Sequence, residues 1–283
     1  MWLLALGPEA VTVGRVTAVA WPGQTILATA LAEQADRADR FPGIGSLPAR
    51  PIRLILADTR ARYDSLTRGR MPVWSEGAAL PDAGVIVLDC EHPSDCLHGA
   101  LRHELAHLAL SWRVGRALPR WFQEGYAALA AGEWSDLDAL QLNWRVAQGA
   151  LPNLDELDQA LRGDRTDAGT AYALAMTAVT LLQRWGGGGP DGLDRLIQNL
   201  ASERGFDAAI RVTYRLTESE FETRWQKDVA SRYGWVAWAS AVGLFWAVTA
   251  LLMIWLVWLR RRRDAPRRAA LDQGWVVPPE EES

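Results

Sequence analysis

The sequence predicts an α+β fold: a small N-terminal β-sheet with a helix, then a mostly helical lobe, then one C-terminal transmembrane helix. Three observations predict it. Strand-like runs rich in β-branched residues fall before residue 93, whereas helical spacing dominates residues 94–234. The stretch Trp235–Leu259 contains no charged residue at all. At 283 residues the chain can hold one large domain or two modest ones, and its 49% hydrophobic and 23% charged content is ordinary for a globular protein.

Residues 1–9 (MWLLALGPE) have a brief apolar run without a basic start, and read as the tail end of a signal peptide whose true beginning lies upstream. Within 10–93, VTVGRVTAVA (11–20) alternates and reads as a strand or hairpin. QTILATALAEQADRADR (24–40) has helical spacing and ends before Phe41-Pro42-Gly43. PIRLILA (51–57) and VIVLD (85–89) read as strands, with a short turn or helix near Arg60–Leu66 and a polar loop at 90–95. The result is a β-α-β-β unit.

Within 94–234, Ser94 or Asp95 can cap a helix running to about Trp112, because a side-chain oxygen there satisfies free N–H groups. Pro119 suits the first turn of the next helix and Gly132 its end. Further helices are expected near 136–149, 153–162, 168–185, 190–203, 206–214 and 217–233, with a turn at Gly186–Pro190.

The run 235–259 exceeds the roughly 20 residues needed to cross a hydrocarbon core of about 30 Å. Tryptophans at both its ends suit the interface. Arg260–Arg263, Arg267 and Arg268 follow it, so the positive-inside rule places the tail 260–283 in the cytoplasm and residues 1–234 outside. The expected location is the cell membrane, single-pass, with the larger domain exported. A cytosol-facing, tail-anchored arrangement is the rival, and the arginine cluster argues against it.

A net charge of −4 makes no case for a nucleic-acid partner. Cys90 and Cys96 have neither zinc-knuckle nor redox spacing, and read equally as a loop disulfide or as two unrelated thiols. Oligomeric state is not legible.

The chemistry concentrates in ALRHELAHLAL (100–110), which holds two of the four histidines. A core helix that happens to carry imidazoles is the plain reading. Yet His103 and His107 lie four residues apart on one helical face, so both can reach one ion. Glu104 is rotated about 100° from His103, beside the ion and not on it, where a carboxylate can take a proton from water. A third ligand is available in PRWFQEGYAALAAG (119–132), where Glu124 sits on the next helix and the small residues Gly125, Ala127 and Ala128 permit close approach to the first. His103, His107 and Glu124 would then hold one Zn2+ with a position left for water.

HELAHLAL followed by PRWFQEGYA resembles the gluzincin zinc metallopeptidases, and especially the bacterial peptidase-MA-like domain proteins. The resemblance covers roughly residues 10–230, though only 101–132 carry specific motifs. It implies a zincin-like catalytic lobe, His103, His107 and Glu124 as zinc ligands, and Glu104 as general base in hydrolysis of a peptide or protein. It further implies that a strand before the active helix forms an edge that pairs with substrate, a place VIVLD matches by position. Some gluzincins stabilise the oxyanion with a later tyrosine or histidine. No histidine follows His107, so Tyr172 takes that place, with core packing as its plain alternative and Tyr126 as a weaker rival. The competing function is a non-catalytic, zinc-containing envelope scaffold.

The remaining candidates have blander readings. His92 and His98 read as surface residues, and Arg113, Arg116 and Arg120 as solvated or structural, although a substrate carboxylate could meet them. Glu156 and Asp158 read as a solvated helix face, and Trp121, Trp144, Trp185 and Trp225 as core.

Overall fold

Residues 9–20 form a hairpin, β1 (Glu9–Val13) against β2 (Val16–Ala20), antiparallel, with Val13 opposite Val16. Gly14 turns the chain at a positive φ, and the next amide, Arg15 N–H, donates to Asp36 Oδ1 at 3.1 Å. Helix α1 (Thr25–Asp36) buries Ala28, Leu31, Ala32 and Ala35, the spacing of a single helical stripe. It connects β2 to β3 (Ile52–Ala57), which runs parallel to it. Helix α2 (Arg60–Thr67), capped by the Thr59 hydroxyl, leads to β4 (Gly77–Leu80) and then β5 (Val85–Asp89). This computed structural model describes residues 7–73, 75–92, 96–147, 149, 151–162, 165–203, 205–233 and 235–272. Residues 1–6 and the expected caps Ser94 and Asp95 lie outside the described residues.

The sheet order is β1-β2-β3-β5-β4. β5, VIVLD, therefore lies inside the sheet, parallel to β3 and antiparallel to β4. This corrects its expected place at the edge: the edge beside the helical lobe is β4, GAAL, which lacks every β-branched or aromatic signal. The two faces are read off the strands' alternation. Ile52, Leu54, Leu56, Ile86 and Leu88 join the main core with α1 and the helical lobe. Ala57, Ala78 and Val87 pack with Tyr63 of α2 on the other face.

The helical lobe consists of α3 (Leu101–Val114), α4 (Arg120–Ala131), α5 (Asp136–Ala147), α6 (Leu154–Ala160), α7 (Arg165–Trp185), α8 (Asp194–Ser202), α9 (Phe206–Tyr214) and α10 (Glu218–Tyr233). A wide π-type turn, Cys96–Ala100, feeds α3. Gly115 and Gly132, both left-handed, end α3 and α4 as C-caps. The expected helix from 190 begins only at Asp194, because the glycine-rich turns extend through Gly192.

Trp121 and Trp225 are fully buried: Trp121 stacks on Phe221 and meets Phe206 edge-on, and Trp225 Nε1–H donates to Thr177 Oγ1 at 2.9 Å. Two tryptophans depart from the core reading. Trp144 is 64% exposed, because α5 turns the neighbouring Leu142 and Asn143 inward instead. Trp185, 37% exposed, lies at the core margin against Tyr214 and Phe221. Cys90 and Cys96 form a disulfide, which resolves the open choice between a bond and two thiols.

Two units are distinguished, residues 1–233 and 234–283. The second contains one helix, α11 (Trp235–Asp272), which covers the whole uncharged run. Among the described residues no helix is long and apolar enough to cross a membrane, so the expected span is unsupported. The side chains of residues 235–245, part of that run, lie outside the described residues.

Candidate functional site

Helix α3 is pinned by the residues it buries. Leu101, Leu105, Leu108 and Ala109 pack into the core, and the opposite stripe turns His103 and His107 toward a cleft of about 440 Å³. Their ring centroids lie 4.9 Å apart. Glu124, 8% exposed, enters from α4 with Oε2 at 3.5 Å from Nε2 of both histidines. One ligand atom from each of His103, His107 and Glu124 falls within 4.8 Å of the others.

Two contacts set α4 where Glu124 can do this. Asp158, at the end of α6, accepts from the N–H groups of Arg120 (3.2 Å) and Trp121 (2.5 Å) and so caps the N-terminus of α4. It is no solvated face residue; that description suits its neighbour Glu156, which is exposed and forms a capping box with Asn153. At Gly125, a methyl group would collide with the Ala175 carbonyl and Val179 of α7. Gly125 thus permits close approach to α7 and not, as its position suggested, to the active helix.

Glu104, 7% exposed, sits under the edge strand. A Cβ on Gly77 would lie 2.6 Å from the Glu104 side chain, so only glycine lets β4 pass here. The Glu104 carboxylate accepts the Ala79 N–H, and burial raises its pKa above the ordinary value despite the opposing pull of His107 and His103. The strand itself is held from behind: Tyr63 O–H donates to the Gly77 carbonyl at 2.7 Å, and Arg60 donates to the Ser75 and Pro72 carbonyls and to Asp89.

Burial works against a charged His103, but hydrogen bonds to Glu124 and Glu133 outweigh it and raise its pKa well above the usual value. Burial alone would raise Glu124, whereas His107 and His103 hold it well below the usual carboxylate range. Glu133 was not foreseen. Its Oε1 lies 2.9 Å from His103 Nδ1, fixing the ring from the side opposite Glu124. The one available clue was general: an imidazole that offers one nitrogen to a metal usually gives the other to a carboxylate or carbonyl.

Tyr172 lines the same cleft, its ring 6.2 Å from His103 and its hydroxyl bonded to Glu124; burial raises its pKa strongly. Tyr126 is elsewhere, fully buried with its hydroxyl on the Pro42 carbonyl at 2.8 Å. His92 is exposed and outside the cleft lining, and the His98 side chain lies outside the described residues. Arg116 and Arg120 line the cleft, Arg113 does not.

Two imidazoles and one carboxylate, convergent and largely buried, with a further carboxylate orienting one ring, form a donor set that fits zinc. The edge strand β4 passes over Glu104, and two helices carry the three convergent groups. The chain belongs to the peptidase MA superfamily, whose family model matches residues 42–231. The hairpin β1–β2 and helix α1 precede the matched region. Among curated proteins none matches the chain. Membership supports a peptidase-like enzyme with a peptide or protein substrate, in a superfamily that is generally zinc-dependent.

Proposed function

We propose that the protein is a gluzincin-type, zinc-dependent metallopeptidase, anchored to the cell membrane with its catalytic unit on the extracytoplasmic side. The observation that carries the catalytic reading is the shared Glu124 Oε2, at 3.5 Å from both His103 and His107 Nε2 within an open cleft. His103, His107 and Glu124 would hold the metal, with Glu133 orienting His103. When bound, zinc supplies a Lewis acid that polarises the scissile carbonyl and acidifies water.

The chain's own residues do the rest. Glu104 takes a proton from the attacking water and hands it to the leaving amine. The Ala79 N–H holds that carboxylate in place, and the burial around it excludes competing solvent. Tyr172, whose hydroxyl lines the cleft beside Glu124, would donate to charge developing on the substrate oxygen. The edge strand β4 offers an extended peptide a partner for its backbone.

Membrane attachment rests on the uncharged run 235–259 and on the apolar side chains that α11 leaves exposed, among them Leu251, Ile254 and Trp255. Export is supported by the arginines that follow the run and by the Cys90–Cys96 disulfide, a bond that persists in oxidising compartments.

The test is metal analysis of the purified full chain together with chelator-sensitive cleavage of a peptide library. One zinc per chain and cleavage lost with chelator are expected, and Glu104→Gln should retain zinc while losing turnover by at least about 10²-fold. Zinc bound without any cleavage would instead leave the scaffold reading. A reporter fused to the tail after Arg263 should read out as cytoplasmic.

A further inference from the structure

The wall of the cleft carries three guanidinium groups. Arg116 comes from the turn after α3, Arg120 from the first turn of α4, and Arg162 from the turn after α6, so three separate segments bring an arginine to it. Besides Glu104, the carboxylates that line the cleft are Asp158 and Glu124. Asp158 spends both oxygens on the Arg120 and Trp121 backbone N–H groups. Glu124 turns Oε2 to the two imidazoles and leaves only Oε1, 3.5 Å from Arg120. Glu104 lies beneath Gly77 and Ala79.

The guanidiniums are correspondingly under-used. Arg120 Nε is buried with no hydrogen-bond partner, a state that costs free energy until something accepts from it. Arg116 is exposed and spends one nitrogen on the Ala201 carbonyl at 3.2 Å. Arg162 is exposed, and among the described residues no carboxylate pairs with it. An arginine fork matches a carboxylate in geometry as well as charge.

We infer that this wall selects substrates by a carboxylate close to the scissile bond, and that Arg116, Arg120 and Arg162 are the selecting residues. The inference rests on the peptidase reading of the cleft and adds the substrate class to it: acidic peptides, or peptides whose free C-terminus falls near the cut. Both sources present the same chemical group.

The test uses the full chain in detergent, loaded with zinc, on one peptide sequence varied in four ways. Asp or Glu near the cleavage site is compared with Asn or Gln, and a free C-terminus with an amidated one. A kcat/KM about tenfold or more higher for the carboxylate forms is expected, shrinking as salt rises. The side-chain and C-terminal arms reveal which source is read. In the double variant Arg116→Gln, Arg162→Gln the ratio of acidic to neutral turnover should collapse toward one. Both residues are exposed, so an unchanged melting temperature should accompany that loss. Equal turnover of acidic and neutral peptides, or a ratio untouched by the double variant, overturns the inference. Should no peptide be cut, the peptidase reading fails by itself. A binding arm then still decides this inference: calorimetry with the Glu104→Gln chain should give tighter Kd values for carboxylate than for amide peptides, and equal affinities overturn it.

Discussion

At the scale of single residues, the site separates those that touch a ligand from those that hold them. Glu133 belongs to the second kind. With its Oε1 on His103 Nδ1 it fixes both the tautomer and the ring plane of that imidazole. Glu133→Gln is expected to weaken zinc binding about 10–100-fold while leaving the melting temperature of the metal-free protein nearly unchanged, measured by competition with a chromogenic chelator. Acid should release the metal as well, since protons compete for His103, whose pKa its two carboxylate partners hold high in the metal-free protein. That His103 and His107 share one helical face was legible because spacing on a helix is a property of the sequence alone, and their convergence with Glu124 because a short loop brings the next helix alongside. Glu133 and Asp158 were not, because each acts on a different element and neither carries a local signature. Asp158 in particular looks like any polar residue of a short helix until α4 is brought to it.

At the scale of elements, two glycines set how closely the site's walls approach. Gly77 lets β4 pass over Glu104, and Gly77→Ala pushes a methyl group into that carboxylate. The backbone at Gly77 is not in the left-handed region, so the fold survives and the cost falls on catalysis. A fall in kcat approaching 10²-fold is expected, with secondary structure by circular dichroism intact. Gly125→Ala acts differently, forcing α4 away from the Ala175 carbonyl. Overpacking of this kind costs about 1–3 kcal/mol, and thermal melting should register it. The helices were largely readable from their apolar period and their glycine caps. Strand β4 was not: Gly77-Ala78-Ala79-Leu80 has no strand propensity, and it is a strand only because β5 offers it a partner. The same blindness put VIVLD at the edge, since a strand's neighbours are a matter of topology and not of its own composition.

At the scale of the whole molecule, the sheet and the helical lobe share one continuous core, which runs from Val16 in β2 to Val229 in α10. A metal held between α3 and α4 therefore stabilises more than its own pocket. At a free zinc concentration near 100 times Kd the gain is about 2.7 kcal/mol, so calorimetric melting with and without chelator should differ by several degrees, roughly 5–10 °C. An identical melting curve in both conditions would mean that zinc does not bind the folded chain. The α+β order of the chain was visible in composition because every strand precedes residue 90 and the elements described beyond it are helical. The standing of the last unit was not, because a run of apolar residues states what the helix must be covered by only when its surroundings are known.

The contact at Gly125 also bears on motion. Two helices pressed together until not even a methyl group fits have lost the gap that would let one slide or roll over the other. The floor of the cleft, carrying its carboxylate, is thereby locked to the long helix behind it. Any widening of the cleft therefore has to arise in elements other than this helix pair.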